Sequence, residues 1–136
     1  MSAPAKPNDD PIVNKAQLVD YLAQGCKPPE KWLIGTEHEK FVFHRRDLSP
    51  VAFDGDDGIE ALLGRMQEFG WNPVTENGNI IALQQNGASI TLEPGGQFEL
   101  SGAPLPSVHH TCRETNDHLA QVKQIGQALG MGFLGL

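Results

Sequence analysis

The chain is poor in the residues that would place it in several large classes of protein. Two cysteines, Cys26 and Cys112, occur in 136 residues and no CxxC pair is present, which excludes a disulfide framework and a thiolate zinc module. No apolar run approaches the roughly 18 residues of a membrane span, so no membrane partner is expected. From Met1 to Pro11 the sequence is polar and proline-rich, without the basic and then apolar layout of a secretion signal. Cations are scarce: 10 Lys and Arg stand against 17 Asp and Glu, for a formal charge of −7 and a pI near 5.1. Nucleic acid is thereby disfavoured as a partner, because neutralising phosphates takes clustered Lys and Arg. The expectation is a cytoplasmic protein, and the short acidic lead-in, unlike a plastid transit peptide, points to a bacterial one. Walker A and Rossmann glycine fingerprints are also missing; Gly58 to Arg65 has the wrong spacing and ends in Arg-Met.

What remains is enough for one globular domain. Leu, Ile, Val and Phe make up a quarter of the residues, above the range in which a charged chain stays unfolded. Residues 1–13 read as a disordered tail, since Pro4, Pro7, Pro11 and the Asn8-Asp9-Asp10 run offer nothing to bury. Asn14 can cap a helix to about Gln24, with Leu18, Val19 and Leu22 on one face. Lys31 to Phe43 reads as one long strand, with Leu33, Glu37, Glu39, Phe41 and Phe43 on one side and Trp32, Ile34, His38 and Val42 on the other. Apolar residues on both sides predict that both are covered. A second helix, capped by Asp56 or Asp57, runs over about 58–69. Short strands follow at 71–75, 79–84, 88–93 and 97–101, joined by Asn77-Gly78, Asn86-Gly87 and Pro94-Gly95-Gly96, the pattern of an antiparallel meander. Ser107 starts a third helix to about Leu129, with Val108, Cys112, Thr115, Leu119, Val122, Ile125 and Leu129 as its apolar stripe. The fold class is α+β, an antiparallel sheet with flanking helices. Met131 to Leu136 opens a further apolar strand without a closing turn, so the chain reads as cut.

Four acids carry the chemical argument. Period-two geometry puts Glu37 and Glu39 on one strand face beside residues that favour burial. Glu93 and Glu99 flank Pro94-Gly95-Gly96 and converge if that turn is a bulge within one strand. No Lys or Arg lies between Arg65 and Arg113, so local cation partners are few. A half-buried carboxylate needs a partner, a proton or a metal, and an all-oxygen set suits Mg²⁺. The alternative is pairing with Lys40, Arg45 or Arg46, or simple solvation. Gly95, Gly96 and Gln97 either present backbone N–H groups to a phosphate or amino-acid ligand or form a plain turn. On the third helix His110, Glu114 and His118 recur at i, i+4 and i+8, as a metal site or as a solvated face. Cys112 reads as a small core residue, and His38 as a packed one.

Read together, WLIGTEHEKFVF (residues 32–43), ITLEPGGQFELSGAPL (90–105), HHTCRETNDHLAQV (109–122) and MGFLGL (131–136) resemble the N-terminal part of a glutamate–cysteine ligase, or γ-glutamylcysteine synthetase, of the plant and proteobacterial type. The resemblance implies a glutamine-synthetase-like fold, with the sheet forming a funnel and helices outside it. Residues 14–136 would then be the N-terminal portion of an incomplete ligase catalytic domain, roughly the first third of a family member and inactive without the rest. The implied activity is the first step of glutathione synthesis, with ATP, L-glutamate and L-cysteine as substrates and γ-glutamyl phosphate as intermediate. Glu37, Glu39, Glu93 and Glu99 are the implied Mg²⁺ ligands, with Gly95, Gly96 and Gln97 at the substrate and nucleotide. Cys112 matches a cysteine of a regulatory disulfide in plant members, whose partner would lie beyond residue 136. The alternative is a non-catalytic module of the same fold that binds a small molecule or metal.

Overall fold

The computed structural model describes residues 10–135; positions 1–9 of the expected tail, and Leu136, lie outside the described residues. Helix α1 (Lys15–Gln24) opens on a capping box: the Asn14 side chain accepts from the Gln17 N–H at 3.1 Å, and Gln17 reaches back to the Asn14 N–H at 3.3 Å. None of its residues is buried. After a 3₁₀ turn at Pro29–Lys31 comes β1 (Glu37–His44), then α2 (Ile59–Met66), β2 (Asn72–Glu76), β3 (Asn79–Gln85), β4 (Ala88–Glu93), β5 (Gln97–Ser101), α3 (Val108–Leu129) and β6 (Met131–Gly135).

All six strands join one antiparallel sheet in the order β2-β3-β4-β5-β1-β6. Two Asn-Gly turns close its hairpins, with φ 50° at Asn77 and Asn86 and positive φ at Gly78 and Gly87. The meander is therefore as the sequence predicts. Pro94-Gly95-Gly96 is a hairpin turn between β4 and β5, not a bulge within one strand: the Gly96 N–H donates to the Glu93 carbonyl at 2.9 Å, and φ at Gly95 is 83°. Proline followed by a residue of positive φ meets the demand of such a turn.

The core lies between one sheet face and helices α2 and α3. Leu83, Ile90, Phe98, Leu100 and Val42 from the sheet meet Ile59, Leu62, Leu63 and Met66 of α2 and Val122 and Ile125 of α3. Each buried side chain of this size contributes about 1.5–3 kcal/mol.

Four expectations are corrected by these contacts. The first strand begins at Glu37 instead of Lys31, because the chain before it makes only an isolated bridge between Ile34 and Leu105. Only its His38, Lys40, Val42 and His44 side is covered by helices, and Phe41 on the other side is 42% exposed. Helix α2 is capped by Gly58 without a side-chain bond, not by Asp56 or Asp57. The buried stripe of α3 is Thr111, His118, Val122, Ile125 and Gly126, while Val108, Cys112 and Leu119 face outward. Cys112 is thus exposed, as Cys26 is.

Candidate functional site

Strand register builds the site on the sheet face away from α2 and α3. Glu39 of β1 stands directly opposite Glu99 of β5, and Glu99 directly opposite Thr91 of β4. Alternation places Glu37, Gln97, Ser101, Ser89 and Glu93 on the same face, two residues along their strands. Three strands thereby present one continuous polar row. The Thr91 hydroxyl donates to Glu99 Oε2 at 3.2 Å, and Glu93 is the next residue on the same face of β4. Glu93 and Gln97 form the last pair before the turn, and the Gln97 Oε1 is buried without a partner among the described residues.

The four predicted glutamates are therefore brought together unequally. Glu39 pairs with Glu99 across β1 and β5 and Glu93 lies on the same face of the neighbouring β4, while Glu37 lies a residue pair further along and is exposed. Gly95 and Gly96 sit at the exposed tip of the turn, with Gln97 half-buried below them. A concavity of about 520 Å³ adjoins the Glu37 end of the row and includes Ser89, Ser101 and Gln84 in its wall. Among the described residues, no group of three or more His, Cys, Asp or Glu is placed to hold a metal ion. That removes the zinc reading of His110, Glu114 and His118. The glutamate row has the all-oxygen donor chemistry that Mg²⁺ takes, but among the described residues no three of its carboxylates are placed around one ion either.

Thr91 was not singled out from the sequence, although its position two residues before Glu93 on a strand puts both on one face. Behind the row, on the helix side, lies a buried cation. Lys40 is 1% exposed, and its ammonium donates to the His38 carbonyl at 2.8 Å and rests 5.8 Å from the Phe98 ring centroid. Burial pushes the Lys40 amine down to about 8, against the opposing attraction of Glu99. Burial and the Lys40 charge lower His38 in turn.

The chain belongs to glutamate-cysteine ligase family 2, whose model matches residues 33–136. It is 50% identical over 139 residues to the chloroplastic glutamate–cysteine ligase of Medicago truncatula, covering 98% of this chain and 27% of that protein. It is 52% identical over 124 residues to chloroplastic glutamate–cysteine ligase A of Oryza sativa subsp. japonica, covering 91% and 25%. With the chloroplastic enzyme of Arabidopsis thaliana it shares 47% over 139 residues, covering 98% and 26%. The chain thus spans about a quarter of the length of these relatives. Their chloroplastic names overturn the expectation of a cytoplasmic protein, which rested on tail composition alone. No helix among the described residues is long and apolar enough to cross a membrane.

Proposed function

We propose that this chain is the metal-holding part of an ATP-dependent ligase that joins the γ-carboxyl of L-glutamate to the amino group of L-cysteine, the first step of glutathione biosynthesis. Family membership and the names of the relatives support the reaction. The observation that carries the assignment to this segment is the Glu39–Glu99 cross-strand pair with Glu93 on the same sheet face, the one away from α2 and α3.

In this reading a γ-carboxylate oxygen of glutamate attacks the terminal phosphorus of ATP and ADP leaves. The cysteine amine then attacks the acyl phosphate carbon, phosphate departs, and the amine gives up a proton to leave an amide. No protein nucleophile is needed; the demands are alignment and charge neutralisation. Glu39, Glu93 and Glu99, with Glu37 at the margin and the Gln97 amide oxygen, would hold Mg²⁺, which offsets the charge of the nucleotide phosphates when bound. Gly95 and Gly96 bring the turn close to the nucleotide or substrate. Residues 14–136 form the N-terminal portion of the catalytic domain, and the sheet is one wall of a glutamine-synthetase-like funnel.

The test is ADP release with glutamate, cysteine and Mg²⁺, in a ligase polypeptide of the relatives' length that contains this segment. Glu39→Gln and Glu99→Gln are expected to lower turnover by about 10²-fold or more. The 136-residue chain alone is expected to release no ADP above background. Unchanged turnover in both variants would remove the metal assignment.

A further inference from the structure

On the helix side of the sheet, remote from the glutamate row, a cavity of about 310 Å³ opens between α3 and the segment after β5. That volume falls in the range that accepts small molecules. Leu100, Leu105 and Trp71 form its apolar wall, and Glu114, Asp117 and His118 its polar one. The sheet thickness separates it from the proposed ligase chemistry.

The polar wall has unused hydrogen-bonding capacity. His118 is 2% exposed, and neither of its ring nitrogens has a hydrogen-bond partner among the described residues. One oxygen of Glu114 accepts from the Ala103 N–H at 2.9 Å, while the other is buried without a partner among the described residues. Each such orphan costs about 1–3 kcal/mol, so three together on two neighbouring side chains are unusual. Positions i and i+4 set these side chains next to each other on α3. Two other polar contacts at the wall are already made: Trp71 Nε1 donates to Gln121 Oε1 at 3.0 Å, and His110 Nδ1 bonds with Ser107 Oγ at 2.7 Å.

We propose that this cavity binds a small primary ammonium compound with a neutral acceptor next to the amine, an amino amide or amino alcohol. The ammonium donates to the free Glu114 oxygen and to the unprotonated His118 nitrogen, and the neutral acceptor takes the His118 N–H. Among the described residues Glu114 and Asp117 line the cavity and no Lys or Arg does, which favours a cationic over an anionic ligand. Stacking on Phe98 holds the His118 ring in place. Burial also keeps that ring neutral, with one donor and one acceptor nitrogen.

The experiment is a titration of the 136-residue chain with glycinamide and ethanolamine, followed by NMR of the Trp71 indole and His118 ring signals, with glycolate as the anionic control. Saturable shifts are expected with the amines and none with glycolate. Glu114→Gln, which keeps an acceptor for the Ala103 N–H, is expected to weaken binding by about tenfold, the loss of one charge-assisted bond. His118→Phe should abolish it. If His118→Phe fails to fold, Asp117→Asn at an exposed wall position supplies the second reading, a loss of about threefold. Shifts that do not saturate by about 50 mM, as for a site holding water only, or shifts unaltered by Glu114→Gln and the second variant, would overturn the proposal.

Discussion

The imidazole of His118 lies flat against the ring of Phe98, with centroids 5.9 Å apart and planes 13° from parallel. This stack ties the middle of α3 to the central strand β5. Burial, reinforced by the charges of Lys40 and His38, lowers the His118 pKa to about 3, so the folded protein holds the ring neutral. An unfolded chain protonates the same ring near 6.5 and therefore binds more protons between these values. The stability that neutral His118 confers is complete above about pH 6.5 and is lost as pH falls toward 3. A shift of this size corresponds to about 3–5 kcal/mol. Urea unfolding from pH 7.5 to 4 should show this fall, and His118→Phe should flatten it. An equally steep fall in the variant would assign the acid sensitivity to carboxylates.

Lys40 gives the opposite practical lesson from the same physics. Its amine is buried and its pKa is pushed down to about 8, so the attraction of Glu99, the bond to the His38 carbonyl and the Phe98 contact do not offset desolvation. The unfolded chain binds the extra proton between about 8 and 10.5, so at neutral pH the fold carries the cost of a buried charge. Lys40→Met keeps the methylene packing and removes that cost. It is expected to stabilise the protein at pH 7 by about 1–3 kcal/mol, with the gain shrinking as pH rises from about 8 to 10.5. A lower melting temperature at pH 7 would show that the contacts of the ammonium outweigh its burial.

Much of the fold was legible because local chemistry left few choices. Asn77-Gly78 and Asn86-Gly87 need positive φ at both positions, which fixes two hairpins and with them the alternation along β3 and β4. The phase of α3 was not legible. Val108, Cys112 and Leu119 are apolar but exposed, whereas Thr111 and His118 are polar but buried. Reading inward from Val122 and Ile125 by helical steps leads to His118 and Thr111, but hydropathy alone prefers Leu119. On the site, Glu37 and Glu39 followed from strand period, while the placing of Glu93 and Glu99 on one face of neighbouring strands depended on whether Pro94-Gly95-Gly96 turned the chain. Pairing of Glu39 with Glu99 was beyond local reasoning, since β1 and β5 are joined only by tertiary folding.

Two glycines, one at the N-cap of α2 and one within it, separate close approach from conformational freedom. A Cβ on Gly58 would lie 2.5 Å from the Asp54 carbonyl oxygen and 2.6 Å from that of Phe53, both backbone. Gly64, inside the helix, has nothing within 4 Å of that position. Gly58→Ala is expected to destabilise by about 1–3 kcal/mol through the forced displacement of backbone. Gly64→Ala is expected to stabilise by about 0.5–1 kcal/mol, by removing the glycine penalty in a helix. Denaturant midpoints of the two variants should move in opposite directions. A neutral Gly58→Ala would mean that the Phe53–Asp54 loop yields freely.

Glu39 and Glu99 meet face to face across β1 and β5, and like charges in that arrangement oppose strand pairing. Without a divalent cation, Glu39→Gln should therefore raise stability, by about 0.2–1 kcal/mol. A cation bound by the native pair reverses the order, because binding to the folded state alone stabilises it in proportion to the logarithm of free ion over dissociation constant. Adding about 10 mM Mg²⁺ should then stabilise the native protein more than Glu39→Gln or Glu99→Gln, and chelation should undo the difference. Urea melts of all three proteins with and without Mg²⁺ make the comparison. Equal Mg²⁺ responses would show that the pair repels without binding, and the acidic row would lose its claim to the metal.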